Sequence, residues 1–129
     1  MTSCGLWISR ATLWASVVKD KGKHLHSFPA ARTDSARQNL LAHLRGLQNE
    51  CELVITDAHA RIDNIANIAL QHSMTVWLVS WRTTDALRAI AGLVTPKRTA
   101  IAIARVPQHP HFRLQLRRLE RDERQLSLL

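Results

Sequence analysis

The chain has 129 residues, 46% of them hydrophobic, which suits one domain with its own core and excludes wholesale disorder. No apolar run approaches the roughly 18 residues a membrane-spanning helix needs, and no basic-then-apolar leader opens the chain, so the default expectation is a cytoplasmic protein with no membrane partner. Net charge is +8 with a pI of about 11.0; Cys4 and Cys51 are too few for a disulfide framework, lack metal-ligand spacing, and read as small core residues.

Residues 4 to 9 and 12 to 19 are short β-rich runs, with "SRAT" between them polar enough to turn. "KDKGK" predicts a second turn, where Gly22 is free to take a positive φ. "HLHSFPA" alternates loosely as a third strand ending at Pro29, and the three together predict an antiparallel meander. Asp34 or Ser35 can cap a helix over 35–48, whose Leu40, Leu41, Leu44 and Leu47 fall on one face. "CELVIT" is a compact strand that expects burial on both faces. Ile62, Ile65, Ala66, Ala69 and Leu70 predict a second helix, and "MTVWLVSW" another buried strand. Thr84 or Asp85 can cap a third helix that ends near Gly92. The order βββ-α-β-α-β-α places two β-α units, joined in parallel through right-handed crossovers, after the meander. A different mixed α/β sheet is the competing layout.

After Pro96, "KRTAIAIARV" is apolar and basic together, and "PQHPH" interrupts with two prolines. Phe112, Leu116, Leu119 and Leu126 then predict a basic amphipathic C-terminal helix carrying Arg113, Arg117, Arg118, Arg121 and Arg124. The division expected is a domain over 1–106 and a linker plus helix over 107–129. Charge is uneven: residues 1–96 hold ten Lys/Arg against seven Asp/Glu, whereas 97–129 hold eight against three. A basic stretch on a small domain favours a polyanion partner. Lys97, Arg98, Arg105, Arg113, Arg117, Arg118 and Arg121 are the candidate phosphate contacts; a solvated face is the bland alternative.

Gly5, Leu6, Ile8, Ser9, Arg10, Thr12 and Leu13 form a frame, and "VITDA" places Asp57 and Ala58 at the end of the fourth strand. With the helix and strand of "IANIALQHSMTVWLVSW" and the word "KRTAIAIAR", this order resembles the RuvC-like DEDD transposases and site-specific DNA invertases of bacterial insertion sequences. Their first strand looks like glycine, apolar, aspartate, apolar, serine, basic, any residue, threonine, leucine. The resemblance spans roughly residues 4 to 106. It implies a ribonuclease H-like fold in which Trp7 sits on the central strand of a five-stranded sheet, beside the strand leading to Asp57. Only the catalytic-domain core of such enzymes is represented, and the helix from Phe112 stands as a remnant of their long coiled segment.

The departures fall on the chemistry. The resemblance implies carboxylates that hold two divalent metals around a scissile phosphate. Trp7 stands where the first-strand aspartate would be, and Thr99 to Arg105 contains no carboxylate. Asp57 is the surviving catalytic candidate, and one carboxylate does not assemble a two-metal site. Asp57 and Asp63 read as helix caps, with a residual weak metal site as the sharper alternative. The paired histidines of "HLH" and "HPH" read as surface groups rather than zinc ligands. Trp7, Trp14, Trp77 and Trp81 read as packing bulk, with base stacking as the alternative.

The leading expectation is a non-catalytic, transposase-derived accessory protein without a metal cofactor. Its partner would be nucleic acid, DNA foremost, or a nucleoprotein complex, and a homodimer through the C-terminal helix is a further expectation. One alternative is a Mg2+-dependent nuclease or recombinase built on Asp57. Another is an adaptor that makes protein contacts only.

Overall fold

A computed structural model describes residues 2–47, 51–91 and 95–120. β1 (Thr2–Ser9), β2 (Thr12–Lys19) and β3 (Lys23–Ala31) form the expected antiparallel meander. Ser9 pairs with Thr12, which leaves Arg10 and Ala11 as a two-residue turn, and Arg10 takes a φ of 57°. A single 3-10 turn, Asp20–Gly22, makes the second reversal with Gly22 at φ 73°. β3 continues past Pro29, which pairs across from Trp14, to Ala31. It is the outer strand, where a proline's missing N–H removes no inner ladder bond.

α1 (Asp34–Arg45) starts one residue earlier than expected, because Thr33 takes the cap and its hydroxyl accepts from the Ala36 N–H. β4 (Cys51–Thr56) then joins β1 in parallel, and β5 (Val76–Val79) joins β4 in parallel. The helical stretch between them is two helices, α2 (Asp57–Ile62) and α3 (Ile65–Gln71). The break is at Asp63, whose backbone is extended at φ −130° and ψ 145°. Its fully buried carboxylate accepts from Arg32 at 2.8 Å, Arg37 at 3.0 Å and the Ile65 N–H at 2.9 Å. Burial alone would raise the Asp63 pKa; the two guanidiniums and that amide outweigh it and hold the carboxyl below its ordinary value.

α4 (Trp81–Ala91) begins before the expected Thr84 or Asp85 cap, since the Ser80 hydroxyl accepts from the Thr83 N–H at 3.2 Å. The expected end near Gly92 lies outside the described residues. α5 (Pro96–Arg105) follows, with Pro96 in its first turn and the Thr95 side chain capping the Arg98 N–H.

Alternation along β1 divides the core between the two faces of the sheet. Cys4, Leu6 and Ile8 meet Leu41 and Leu44 of α1 and Ile65 and Ala69 of α3. On the other face, Trp7 and Val54 meet Ala100 and Ile103 of α5. α5 crosses β1 at Gly5, where a Cβ would collide with the Ala100 carbonyl and the Ala104 backbone. Ser3 Oγ donates to the Ala104 carbonyl at 2.6 Å beside this crossing.

Over residues 112–118 the structure corrects the expectation of a helix. Phe112–Gln115 is one 3-10 turn, and Arg117–Arg118 form β6, antiparallel to β5. The Leu119 N–H donates to the Val76 carbonyl at 2.9 Å. The open edge of β5 offers unpaired backbone groups, and strand pairing satisfies them as an isolated helix would not. The spacing of Phe112, Leu116 and Leu119 is still used, since Phe112 and Leu116 join the α5-side core and Leu119 the opposite one. The homodimer expected through a C-terminal helix loses its basis over 112–119, and Leu126 lies outside the described residues. The sheet order among the described residues is β3-β2-β1-β4-β5-β6, one strand wider than the five expected, with Trp7 on an inner strand.

Candidate functional site at the carboxyl ends of the parallel strands

β1, β4 and β5 run parallel, so their carboxyl ends gather Trp7, the Thr56–Asp57 junction and Ser80–Trp81 at one end of the sheet. In open α/β sheets this end is where ligands bind. Trp7 is buried, with its ring centroid 4.5 Å from His59 at 62° and 5.7 Å from Trp81 in a stacked arrangement. Arg88 lies over the Trp7 ring at 5.3 Å, within range of a cation–π contact. Trp81 closes the cluster and remains 40% exposed.

His59 is the hinge of the arrangement. Its Nδ1 accepts from the Ile8 N–H at 3.2 Å, which requires that nitrogen to be unprotonated. Its backbone N–H donates to the Thr56 hydroxyl, the cap of α2. Burial lowers the His59 pKa, the nearby Arg32 lowers it further, and Asp63 opposes both. The neutral ring therefore packs against Trp7 as an aromatic wall.

Asp57 is half-buried at the first position of α2, and one of its oxygens accepts from the Ala58 N–H at 2.8 Å. Thr99 of α5 is buried, and its hydroxyl donates to the Thr95 carbonyl. Among the residues described at this end, Asp57 offers a carboxylate, Trp7 an indole, and His59 an imidazole whose Nδ1 is already engaged. Among the described residues no group of three or more His, Cys, Asp or Glu side chains is arranged to hold a metal ion. These residues do not fit the two-metal centre implied by the resemblance, because magnesium takes oxygen ligands in an octahedron. Asp63 belongs to a different place: its oxygens are spent on Arg32, Arg37 and Ile65.

Sequence reasoning put Trp7 and Asp57 at one end of the sheet but missed Arg88 as a partner. The signal was present, since Trp81 and Arg88 are seven residues apart and share a face of α4. The two cysteines are buried free thiols, and burial pushes the Cys51 thiol up to about 12. His26 Nε2 lies 3.3 Å from His43 Nε2 on the surface, and partial burial together with His43 and His24 lowers its pKa.

The predicted basic surface is divided. Lys97, Arg98 and Arg105 are exposed on α5, which lies over β1 and β2. Arg113 is exposed in the turn after the prolines, and Arg117 and Arg118 are exposed on β6, at the sheet edge opposite β3. Arg118 lies 3.9 Å from Glu120, and Arg105 Nε donates to the Gly22 carbonyl at 2.9 Å. Arg121 and Arg124 lie outside the described residues.

A cavity of about 400 Å³ opens between α4 and α5, bordered by Arg98, Arg105, His24 and His109. The "HLH" and "HPH" words each contribute one histidine to it, a convergence that spacing along the chain does not reveal. Among the described residues no helix is long and apolar enough to cross a membrane.

Compared by sequence, the chain matches no family model and no curated protein. Compared by structure, it is similar to Thermus thermophilus RuvC, with a TM-score of 0.66 at 15% identity over 92% of this chain and 100% of that one. It is also similar to T. thermophilus RuvC in complex with a Holliday junction substrate, with a TM-score of 0.62 at 14% identity over 92% of this chain and 99% of that one. Together with the strand order and the helices packed on both faces, these likenesses establish that the chain has a ribonuclease H-like fold.

Proposed function

We propose that this protein binds nucleic acid, DNA foremost, without cutting it, as a cytoplasmic accessory to a recombination complex. Descent from the transposase and invertase line is part of the reading, supported by the frame from Gly5 to Leu13 and by "VITDA". The observation that carries the non-cleaving half is Trp7: an indole packed against His59 and Trp81 occupies the carboxyl end of β1. A phosphodiester hydrolase of the two-metal kind needs oxygen anions there.

The binding half is supported by the net charge of +8, by the exposed arginines of α5 and β6, and by the solved complex of a structurally similar protein with a Holliday junction substrate. The half-exposed Trp81 adds a stacking surface for an unpaired base, a contact worth roughly 1–3 kcal/mol per base where it forms. No metal cofactor enters this reading.

The test pairs two assays on the same preparation. Binding to duplex, single-stranded and junction DNA is measured across a salt series; a log–log slope of roughly −0.9 per phosphate contact on duplex is expected. Cleavage of the same substrates is followed in magnesium and in manganese. Binding without cutting is the expected result. Cutting that disappears in Asp57→Asn would replace this reading with the metal-dependent nuclease, and no binding at low salt would replace it with the protein adaptor.

A further inference from the structure

The cavity between α4 and α5 has an aliphatic floor and a cationic rim. Leu87, Ile101 and Val106 supply the floor. Arg98 and Arg105 flank Ile101 and Ala102 along α5, two turns apart, or about 10 Å. Among the described residues no carboxylate lines the space. Its volume of about 400 Å³ lies within the range of small-molecule sites, about 300–1,000 Å³.

The rim is polarised. Arg105 is held at one end by its bond to the Gly22 carbonyl at 2.9 Å. His24, two residues beyond Gly22, lines the same cavity and hydrogen-bonds the Ser27 hydroxyl at 2.7 Å. His109, four residues beyond Arg105, accepts the His111 and Phe112 N–H groups at its Nδ1, which leaves Nε2 as the ring's N–H donor. One guanidinium and two imidazoles thus gather at the Arg105 end, and a single arginine marks the other.

We propose that this cavity binds a small amphipathic anion: an aliphatic body along Ile101 and Ala102, with a carboxylate or phosphate head at the Arg105 end. The floor removes aliphatic surface from water, which neither a sugar nor a free inorganic anion would exploit. The rim supplies charge-assisted donors for one head group. An aliphatic floor without an indole or phenyl ring also separates this site from the Trp81 stacking surface.

The experiment is a methyl-resolved NMR titration with octanoate, octyl phosphate and octanol, in the absence of nucleic acid, so that its outcome does not depend on the function proposed above. Octanoate and octyl phosphate are expected to shift the Leu87, Ile101 and Val106 methyls saturably, with octanol at least about tenfold weaker. Arg105→Ala is expected to weaken both anions by about tenfold while leaving octanol unchanged. Ala102→Phe, which fills a half-exposed position on the groove, is expected to abolish all three. Equal binding of octanol and octanoate, or octanoate binding indifferent to Arg105→Ala, would overturn the proposal. So would occupancy of these methyls by a leucine–glutamate peptide with no response to octanoate, which would make the groove a protein-docking surface.

Discussion

Trp7 shows how much one side chain decides. It is 7% exposed, edge-on to His59, stacked on Trp81 and capped by Arg88, so the end of β1 is built from rings rather than oxygens. Trp7→Asp does not recreate a metal centre; it removes that packing and buries a carboxylate beside two aromatic rings. A loss of about 3–5 kcal/mol is expected by urea denaturation, the range of large-to-small core changes, and Trp7→Phe should cost less than half of that. An unchanged urea midpoint for Trp7→Asp would mean the indole is not packed as described. His59 makes a second case. Its folded pKa lies below the ordinary value of about 6.5, so below that pH the unfolded chain takes up a proton that the folded chain refuses. Stability is therefore full above about 6.5 and falls as pH drops toward the folded pKa. His26 shifts in the same direction and contributes to the same slope. Thermal melts from pH 7.5 to 5 should show the fall, and His59→Gln, which keeps an acceptor for the Ile8 N–H, should flatten it but not remove it.

Between elements, α5 crosses β1 in close contact. Gly5 permits it because a methyl group there would meet the Ala100 carbonyl and the Ala104 backbone, neither of which can rotate away. Gly5→Ala is expected to cost about 3 kcal/mol, at the upper end of overpacking changes. Gly22→Ala, whose Cβ would meet the flexible Arg105 side chain at 3.5 Å or more, should cost about 1 kcal/mol through its positive φ alone. Denaturation of the two variants side by side checks the ranking. Asp63 ties other elements together: it stops α2, accepts from the Ile65 N–H at the start of α3 and holds Arg32 beyond β3 and Arg37 of α1. Asp63→Asn keeps the shape but loses the charge, and a loss of roughly 2–4 kcal/mol is expected, near that for breaking a buried ion pair.

At the scale of the whole molecule, the positive charge is a distribution rather than one surface. The α5 arginines lie over β1 and β2, while Arg117 and Arg118 continue the sheet beyond β5. If DNA follows α5, the triple change of Lys97, Arg98 and Arg105 to alanine should flatten the log–log salt slope by up to roughly 2.7. The pair Arg113→Ala and Arg117→Ala should then change it little. Salt titrations of both variants distinguish an α5 track from a β6 track, and identical slopes in wild type and both variants would leave these arginines as solvating groups.

Much of the fold was legible along the chain, for local reasons. Period-two runs, turn residues and leucines at helical spacing carry their own geometry, so the meander, α1 and the two parallel strands emerge from near neighbours. That an indole, Trp7, and no carboxylate stands near the carboxyl end of β1 was legible too, because residue type at a strand position is a local fact. What only the tertiary structure decided came from contacts between distant segments. Asp63 reads as a helix cap until Arg32 and Arg37 reach it across the fold. Phe112 to Leu119 reads as a helix until the open edge of β5 offers it a ladder. The aromatic cluster joins residues 7, 59, 81 and 88, and the groove joins His24 to His109. The sequence by itself determines which surfaces must be buried; which distant surface meets them, and so where the sites lie, is settled when the whole sheet closes over its two cores.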